Sequence, residues 1–205
     1  WSSDVCSSDL KALAVAEVNA SMGRVVACPT AGSCGVVPGV ILGLGDERAS
    51  EDDLVRALFT AAGVGYVIAK RATVSGAEGG CQAECGAASA MAAAAAVEMT
   101  GGSPRQAANA VAFALKSFLG LVCDPVAGLV EVPCIKRNAS AAAVAVVAAE
   151  MALAGIESVI PADEVIDAMG EIGRHLPLEL RETARGGLAA TPTGRLIAAR
   201  FRADE

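Results

Sequence analysis

Aromatic residues make up only 3% of the 205-residue chain, histidine occurs once, and there is no excess of positive charge. So few large flat side chains exclude a β-sandwich core and favour helices brought close by small residues. A formal net charge of −7 excludes a nucleic-acid partner, because phosphate binding needs a basic face. Long apolar runs are also missing. The longest uncharged Ala/Val-rich runs, Gly86 to Val97 and Asn138 to Ala149, stop at Glu98 and Glu150, short of the roughly 20 apolar residues a bilayer span needs. No basic start followed by an apolar stretch marks a secretory signal. The chain is therefore expected to be cytoplasmic, with no membrane partner. Its cysteines are expected to be reduced and not part of a disulfide framework. There is no alternating strand pattern and no internal repeat.

What is present is alanine, glycine and cysteine. Hydrophobic residues are 54% of the chain, arranged in Ala-rich runs broken by Gly and Pro. Short helical spacing is visible over Lys11 to Met22. Glu51 to Ala69 opens with acids in its first turn and continues apolar, as a helix does. Further helices are expected from about Glu84 to Met99, from Ser103-Pro104 to about Leu121, from about Asn138 to Ala154, and over Ala162 to Gly173. Ser103 at the cap and Pro104 in the first turn mark one start clearly. Arg24 to Val40, Ser75 to Gly80 and Cys123 to Pro133 read as loops, and the tail is Gly- and Thr-rich. The fold class is all-α, an Ala/Gly-rich helical domain with cysteine-bearing loops.

Residues 1–10, WSSDVCSSDL, differ in character from the rest. They read as an in-frame translation of a sequencing-adapter oligonucleotide, with a native disordered tail as the alternative. Cys6 is left out of the site on either reading. The domain proper is taken as 11–205, truncated at its N-terminus, with native sequence expected upstream of Lys11.

Six cysteines remain: Cys28, Cys34, Cys81, Cys85, Cys123 and Cys134. Buried, inert packing is the commonest fate of any one thiol, so the local setting decides. Cys81 lies in EGGCQAECG, a Gly-rich turn feeding a helix N-terminus, where free N–H groups and the helix dipole favour an anion such as thiolate. Cys123 and Cys134 bracket one proline-bounded loop, CDPVAGLVEVPC. Cys81 and Cys123 stand 42 positions apart, and Cys123 and Cys134 stand 11 apart. Neither gap is the short Cys pair of zinc ribbons or ferredoxins. Spacing alone leaves a metal site and simple burial both open.

Four stretches carry a resemblance to a known family: CPTAGSCGVVPGV (Cys28 to Val40), SGAEGGCQAECGAASAMAAAA (Ser75 to Ala95), GLVCDPVAGLVEVPCIKRNA (Gly120 to Ala139) and ETARGGLAATPTG (Glu182 to Gly194). They resemble the α-subunit of iron–sulfur L-serine dehydratases, collinearly from about Lys11 to Phe201. The resemblance implies a 4Fe-4S cluster held by Cys81, Cys123 and Cys134. Three thiolate ligands leave one iron open to act as a Lewis acid. The implied reaction is dehydration and deamination of L-serine to pyruvate and ammonia. A β-subunit or β-domain is implied as partner, within an oligomer, and it is expected to supply the base that removes the Cα proton. No catalytic base is identified in this chain. Its one histidine, His175, sits in a charged segment and reads as a surface residue.

In PTAGSCG, Thr30, Ala31, Gly32 and Ser33 offer hydroxyls and free N–H groups that could cradle the substrate carboxylate; a tight turn between packed elements is the alternative. Lys136, Arg137 and Asn138 follow Cys134, either near the cluster or at a solvated helix start. Cys85, one helical turn after Cys81, either packs as a small hydrophobe or approaches the open iron. Cys28, Cys34 and Cys85 stand where relatives commonly carry small or aliphatic residues. Three other readings stay open: a dehydratase of threonine or another β-hydroxy amino acid, a structural zinc protein, and a non-catalytic helical scaffold.

Overall fold

The computed structural model describes residues 3–45 and 49–203, and among these every regular element is helical. Nine α-helices run in order: α1 (Ser3–Ala20), α2 (Val36–Gly45), α3 (Glu51–Arg71), α4 (Gly76–Gly79), α5 (Ala87–Met99), α6 (Pro104–Lys116), α7 (Cys134–Leu153), α8 (Ala162–His175) and α9 (Pro192–Ala203). A single π-turn, Gln82–Gly86, leads into α5, and short 3-10 turns occupy Ala31–Ser33, Val126–Gly128, Leu178–Leu180 and Gly187–Ala190.

Helix α5 is the axis of the fold. Every residue from Ala87 to Val97 is buried, so this helix has no solvent face and behaves as a core element. Its neighbours are α2, α3, α6 and α7. Alanine on all sides lets the surrounding backbones come close. The few larger core residues, Ile68, Leu115, Val97 and Met169, fill the space at the margins.

The outer helices begin where local chemistry dictates. Ser50 caps α3, its side chain accepting from the Asp53 N–H while the Asp53 carboxylate accepts from the Ser50 N–H, and Lys70 and Arg71 close the far end. Ser103 and Gln106 form the same reciprocal box on α6, with Pro104 in the first turn. Such caps contribute about 1 kcal/mol each. Arg71 of α3 pairs with Asp167 of α8 at 2.6 Å.

Some elements differ from what the sequence pattern predicts. The stretch Val36–Gly45 is helical despite Pro38 and Gly39. Pro38 falls in the first turn, where its missing N–H has no intrahelical partner to lose. Gly35 and Gly39 lie every fourth residue along the face that meets α1. A Cβ on Gly39 would stand 2.7 Å from Ala12 Cβ, and one on Gly35 would stand 2.2 Å from Ala12 O. Helix α1 starts at Ser3, so the described residues of the stretch set apart on composition, 3–10, are helical, with Ser8 fully buried. Helix α6 stops at Lys116, and α7 begins at Cys134, earlier than Asn138. The Gly- and Thr-rich tail holds two 3-10 turns and α9.

Candidate metal centre

Three chain segments meet at one end of α5 and α7. The first is the turn around Cys81. Gly80 takes φ of +76°, and a Cβ there would meet Leu121 O at 2.8 Å and Leu176 Cδ1 at 2.7 Å. Only glycine fits such a position. The neighbouring Gln82 is fully buried. Its Nε2 donates to Gly79 O (2.9 Å) and Met169 O (3.1 Å), and its Oε1 accepts from Gly120 N (2.9 Å). One side chain thus ties the Cys81 turn to α8 and to the segment leading to Cys123. The π-turn that follows places Glu84 on the same side as Cys81; such turns are frequent at functional sites.

The second segment is the loop from Cys123 to Cys134. Asp124 Oδ1 pairs with Arg137 Nη2 at 2.9 Å, and its Oδ2 accepts from Leu188 N at 2.8 Å. The third is the tail stretch after α8. Cys123 N donates to Leu180 O at 2.9 Å, and Glu182 N donates to Cys123 O at 2.8 Å. Glu182 and Ala184 are held at φ of 61° and 54°, a left-handed backbone that costs about 1 kcal/mol or more per non-glycine residue. The pairing with Cys123 helps hold Glu182 there.

These segments, together with the Thr30–Gly32 turn, border a cavity of about 230 Å³ lined by Thr30, Ala31, Gly32, Glu84, Cys123, Cys134 and Glu182. Cys81, Cys123 and Cys134 are all buried. The ligand atoms of Cys81, Glu84 and Cys123 lie within 4.8 Å of one another. Cys134 faces the same cavity from the first residue of α7. Glu84 Oε2 sits 3.9 Å from Cys81 Sγ and 3.8 Å from Cys123 Sγ. Arg137 Nη1 donates to Cys81 Sγ at 3.5 Å and to Val122 O at 3.1 Å.

The electrostatics centre on Cys81. Hydrogen bonds from the Cys123 thiol, then from Cys85, with the Arg137 guanidinium alongside, hold it down at about 3 against burial. Cys123 and Cys85 are raised, first because they keep the protons they share with Cys81 and then by burial. Burial, helped by the Cys81 charge, pushes Cys134 up to about 12. Burial is also the main cause that raises Glu84 to about 7 and the first cause for Glu182. One thiolate beside a fixed cation, with two more thiols around one cavity, is a soft donor set suited to iron–sulfur or zinc ligation.

The remaining residues singled out in the sequence fall in distinct places. Thr30, Ala31 and Gly32 line the cavity, while Ser33 is buried behind them, 3.2 Å from Thr30 Oγ1. Asn138 is buried and acts as a strut. Its Nδ2 donates to Gly32 O (2.8 Å) and Cys134 O (2.9 Å), and its Oδ1 accepts from Gly35 N (2.9 Å). Lys136 is exposed on α7 and is not among the lining residues. The charge near the thiols comes from Arg137. Cys85 packs into the apolar core while touching Cys81, and Cys6 is exposed. His175 is exposed, its Nδ1 2.8 Å from Glu171 O. Glu84 was not singled out by sequence reasoning. The available signal was a carboxylate three residues after Cys81, inside an otherwise apolar helix start.

A helical domain built around buried cysteine loops is the class these observations define, and comparison with known proteins gives the family. A sequence model described as serine dehydratase alpha chain matches residues 6–189. The chain is 62% identical over 186 residues to the probable L-serine dehydratase, alpha chain, of Bacillus subtilis (strain 168), covering 90% of this chain and 62% of that one. It is 57% identical over 184 residues to the probable L-serine dehydratase, alpha chain, of Latilactobacillus sakei, covering 89% and 88%. Over 181 residues it is 48% identical to L-serine dehydratase 2 of Escherichia coli (strain K12), covering 87% of this chain and 40% of that one. The chain belongs to the serine dehydratase alpha chain family. It spans less than two thirds of the Bacillus subtilis relative's length. Among the described residues no helix is long and apolar enough to cross a membrane.

Proposed function

We propose that this chain is the cluster-holding part of a cytoplasmic L-serine dehydratase, with Cys81, Cys123 and Cys134 as ligands of a 4Fe-4S cluster. The observation that carries the reading is the cavity that Cys123, Cys134 and the Thr30–Gly32 turn line together, with the buried Cys81 sulfur within 4.8 Å of the Cys123 sulfur. The donor chemistry fits. A buried thiolate paired with Arg137 needs little further deprotonation to bind metal, and thiolate is the form that ligates. When bound, the cluster supplies a Lewis-acidic iron that makes the serine hydroxyl a better leaving group.

The chain's own residues hold and orient. Thr30, Ala31 and Gly32 present a hydroxyl and backbone amides to the cavity, where they receive the substrate carboxylate. Ser33 supports Thr30 from behind. Asn138 fixes that turn to Cys134, so the substrate-facing and metal-facing walls move as one. Arg137, anchored by Asp124, balances the negative charge of the thiolates. Removal of the Cα proton and departure of the β-hydroxyl, together one water, turn L-serine into an enamine, which tautomerises and hydrolyses to pyruvate and ammonia. The base for that proton belongs to a β-chain or β-domain, since His175 lies outside the cavity. An oligomer containing that partner is the working form.

The test is iron and acid-labile sulfide per chain after anaerobic reconstitution. Wild type is compared with Cys81→Ser, Cys123→Ser and Cys134→Ser, with Cys6→Ser and Cys28→Ser as controls. About four irons and four sulfides, lost only in the first three variants, is the expected result. A colourless protein retaining zinc, or five variants that behave alike, overturns the reading in favour of a zinc or scaffold protein. With the partner present, comparing L-serine with L-threonine sets the substrate preference, which one extra methyl changes only modestly.

A further inference from the structure

We propose that Glu84 is a fourth, exchangeable protein ligand of the metal centre, giving a carboxylate oxygen to the one iron that no thiolate holds. The inference rests on the three-thiolate reading above and adds a residue to it. Four observations support it.

Glu84 belongs to the same compact donor group as two of the three thiols, its oxygen within 4.8 Å of both sulfurs. Its carboxylate is also confined. A Cβ on Gly76 would come 2.6 Å from Glu84 Oε2 and 3.1 Å from Cys123 Sγ, and one on Gly32 would come 3.4 Å from both carboxylate oxygens. At Gly76 the missing Cβ is what makes room for the carboxylate, while a Cβ on Gly32 would stand in ordinary contact with it. Third, Glu84 is buried yet lines the cavity together with Thr30 and Gly32. The space its oxygen would leave on release is the space a substrate would enter. Fourth, the rival donor Cys85 is packed into the apolar core.

The chemistry favours exchange. A carboxylate oxygen is a harder and weaker donor to cluster iron than a thiolate. It protects the fourth iron when no substrate is present and yields to an incoming hydroxyl and carboxylate. A fourth thiolate would close the site instead.

The experiment follows the fourth iron directly. The reconstituted full chain is exposed to limited oxidant, and iron content and electron paramagnetic resonance are recorded over time. Wild type is compared with Glu84→Gln and Glu84→Cys, all matched for starting iron and helical content. Glu84→Gln is expected to shed its fourth iron about tenfold faster, equivalent to about 1.4 kcal/mol, and to build up the three-iron signal. Glu84→Cys is expected to retain that iron longer than wild type. Equal rates of iron loss in all three loaded proteins overturn the proposal. If Glu84→Gln does not fold, the Glu84→Cys comparison stands alone, and a rate equal to wild type overturns the proposal. A wild type that assembles no cluster overturns the three-thiolate reading as well, an outcome readily told apart from equal loss in loaded proteins.

Discussion

Arg137 reaches Cys81 with one arm of its guanidinium and Asp124 with the other, at 3.5 Å to the sulfur and 2.9 Å to the carboxylate. The guanidinium is largely covered and Asp124 almost entirely so. A buried cation between two anions is stabilising only while both remain in place. The pair therefore links the ionisation of Cys81 to the segment that follows Cys123.

In the metal-free chain, the ultraviolet absorbance of a thiolate is expected to persist in acid, because Cys81 is held at about 3. Cys123→Ala should raise that titration most, since the Cys123 thiol is the largest cause of the depression. Arg137→Gln should raise it by less, through loss of the nearby charge and hydrogen bond. A titration unchanged by both substitutions would show that the thiolate resides on another sulfur.

Glu84 gives the metal-free chain a pH dependence of opposite sign. Burial raises its carboxyl from 4.5 to about 7, so the folded state prefers the protonated form. The stabilising contribution is complete below about pH 4.5 and is lost as pH rises through about 7. Over that window the loss amounts to about 3 kcal/mol at most. Glu84→Gln carries a neutral amide at every pH and should flatten the curve. Urea unfolding at pH 5 and pH 8 checks this. Wild type should weaken relative to the variant at the higher pH, and parallel changes in the two would refute the assignment.

Asn138→Ala removes a strut that joins three backbone groups from two segments. Leaving buried N–H and C=O groups without partners costs about 1–3 kcal/mol. The variant should lose about that much stability and retain less metal, because Cys134 and the Gly32 turn are no longer fixed to one another. Asn138→Asp keeps the acceptor for Gly35 N but sets a carboxylate oxygen against the Gly32 and Cys134 carbonyls, and should cost more than Asn138→Ala. Thermal unfolding together with metal content separates this outcome from a general loss of fold.

Much of the helical framework is legible in the sequence because its signals are local. Ser50 with Asp53 and Ser103 with Gln106 announce two helix starts within four residues each. The all-buried α5 is legible too, since an alanine run without a polar stripe has no solvent side. What local pattern conceals is α2, where Pro38 and the glycines read as a loop. They become helix-compatible only because Pro38 falls in the first turn and α1 lies against Gly39. The thiols were legible through resemblance, while their spacing alone left burial equally open. Glu84 is concealed because a single charge near a cysteine looks like surface, and for Arg137 the sequence leaves a place near the thiols and a solvated helix start both open. Only the fold places Glu84 beside Cys123, 39 residues away in sequence, and Arg137 beside Cys81, 56 residues away.

The glycines of α2 and α3 make an opposed pair of predictions from one substitution. Gly39 and Gly63 both lie inside helices, so replacing either with alanine removes the same unfolded-chain freedom, a gain of about 0.5–1 kcal/mol where space allows. At Gly63 nothing lies within 4 Å of the new Cβ, and Gly63→Ala should stabilise the chain by that amount. At Gly39 the new Cβ would stand 2.7 Å from Ala12 Cβ and 2.8 Å from Ser8 O. Backbone cannot give way as a flexible side chain does, so α1 must move off α2. Overpacking of this kind costs about 1–3 kcal/mol, which outweighs the entropic gain, and Gly39→Ala should destabilise. Denaturant unfolding of the two variants decides the point. Opposite signs support a direct backbone contact between α1 and α2, whereas stabilisation in both would mean that α1 is not seated on that glycine face.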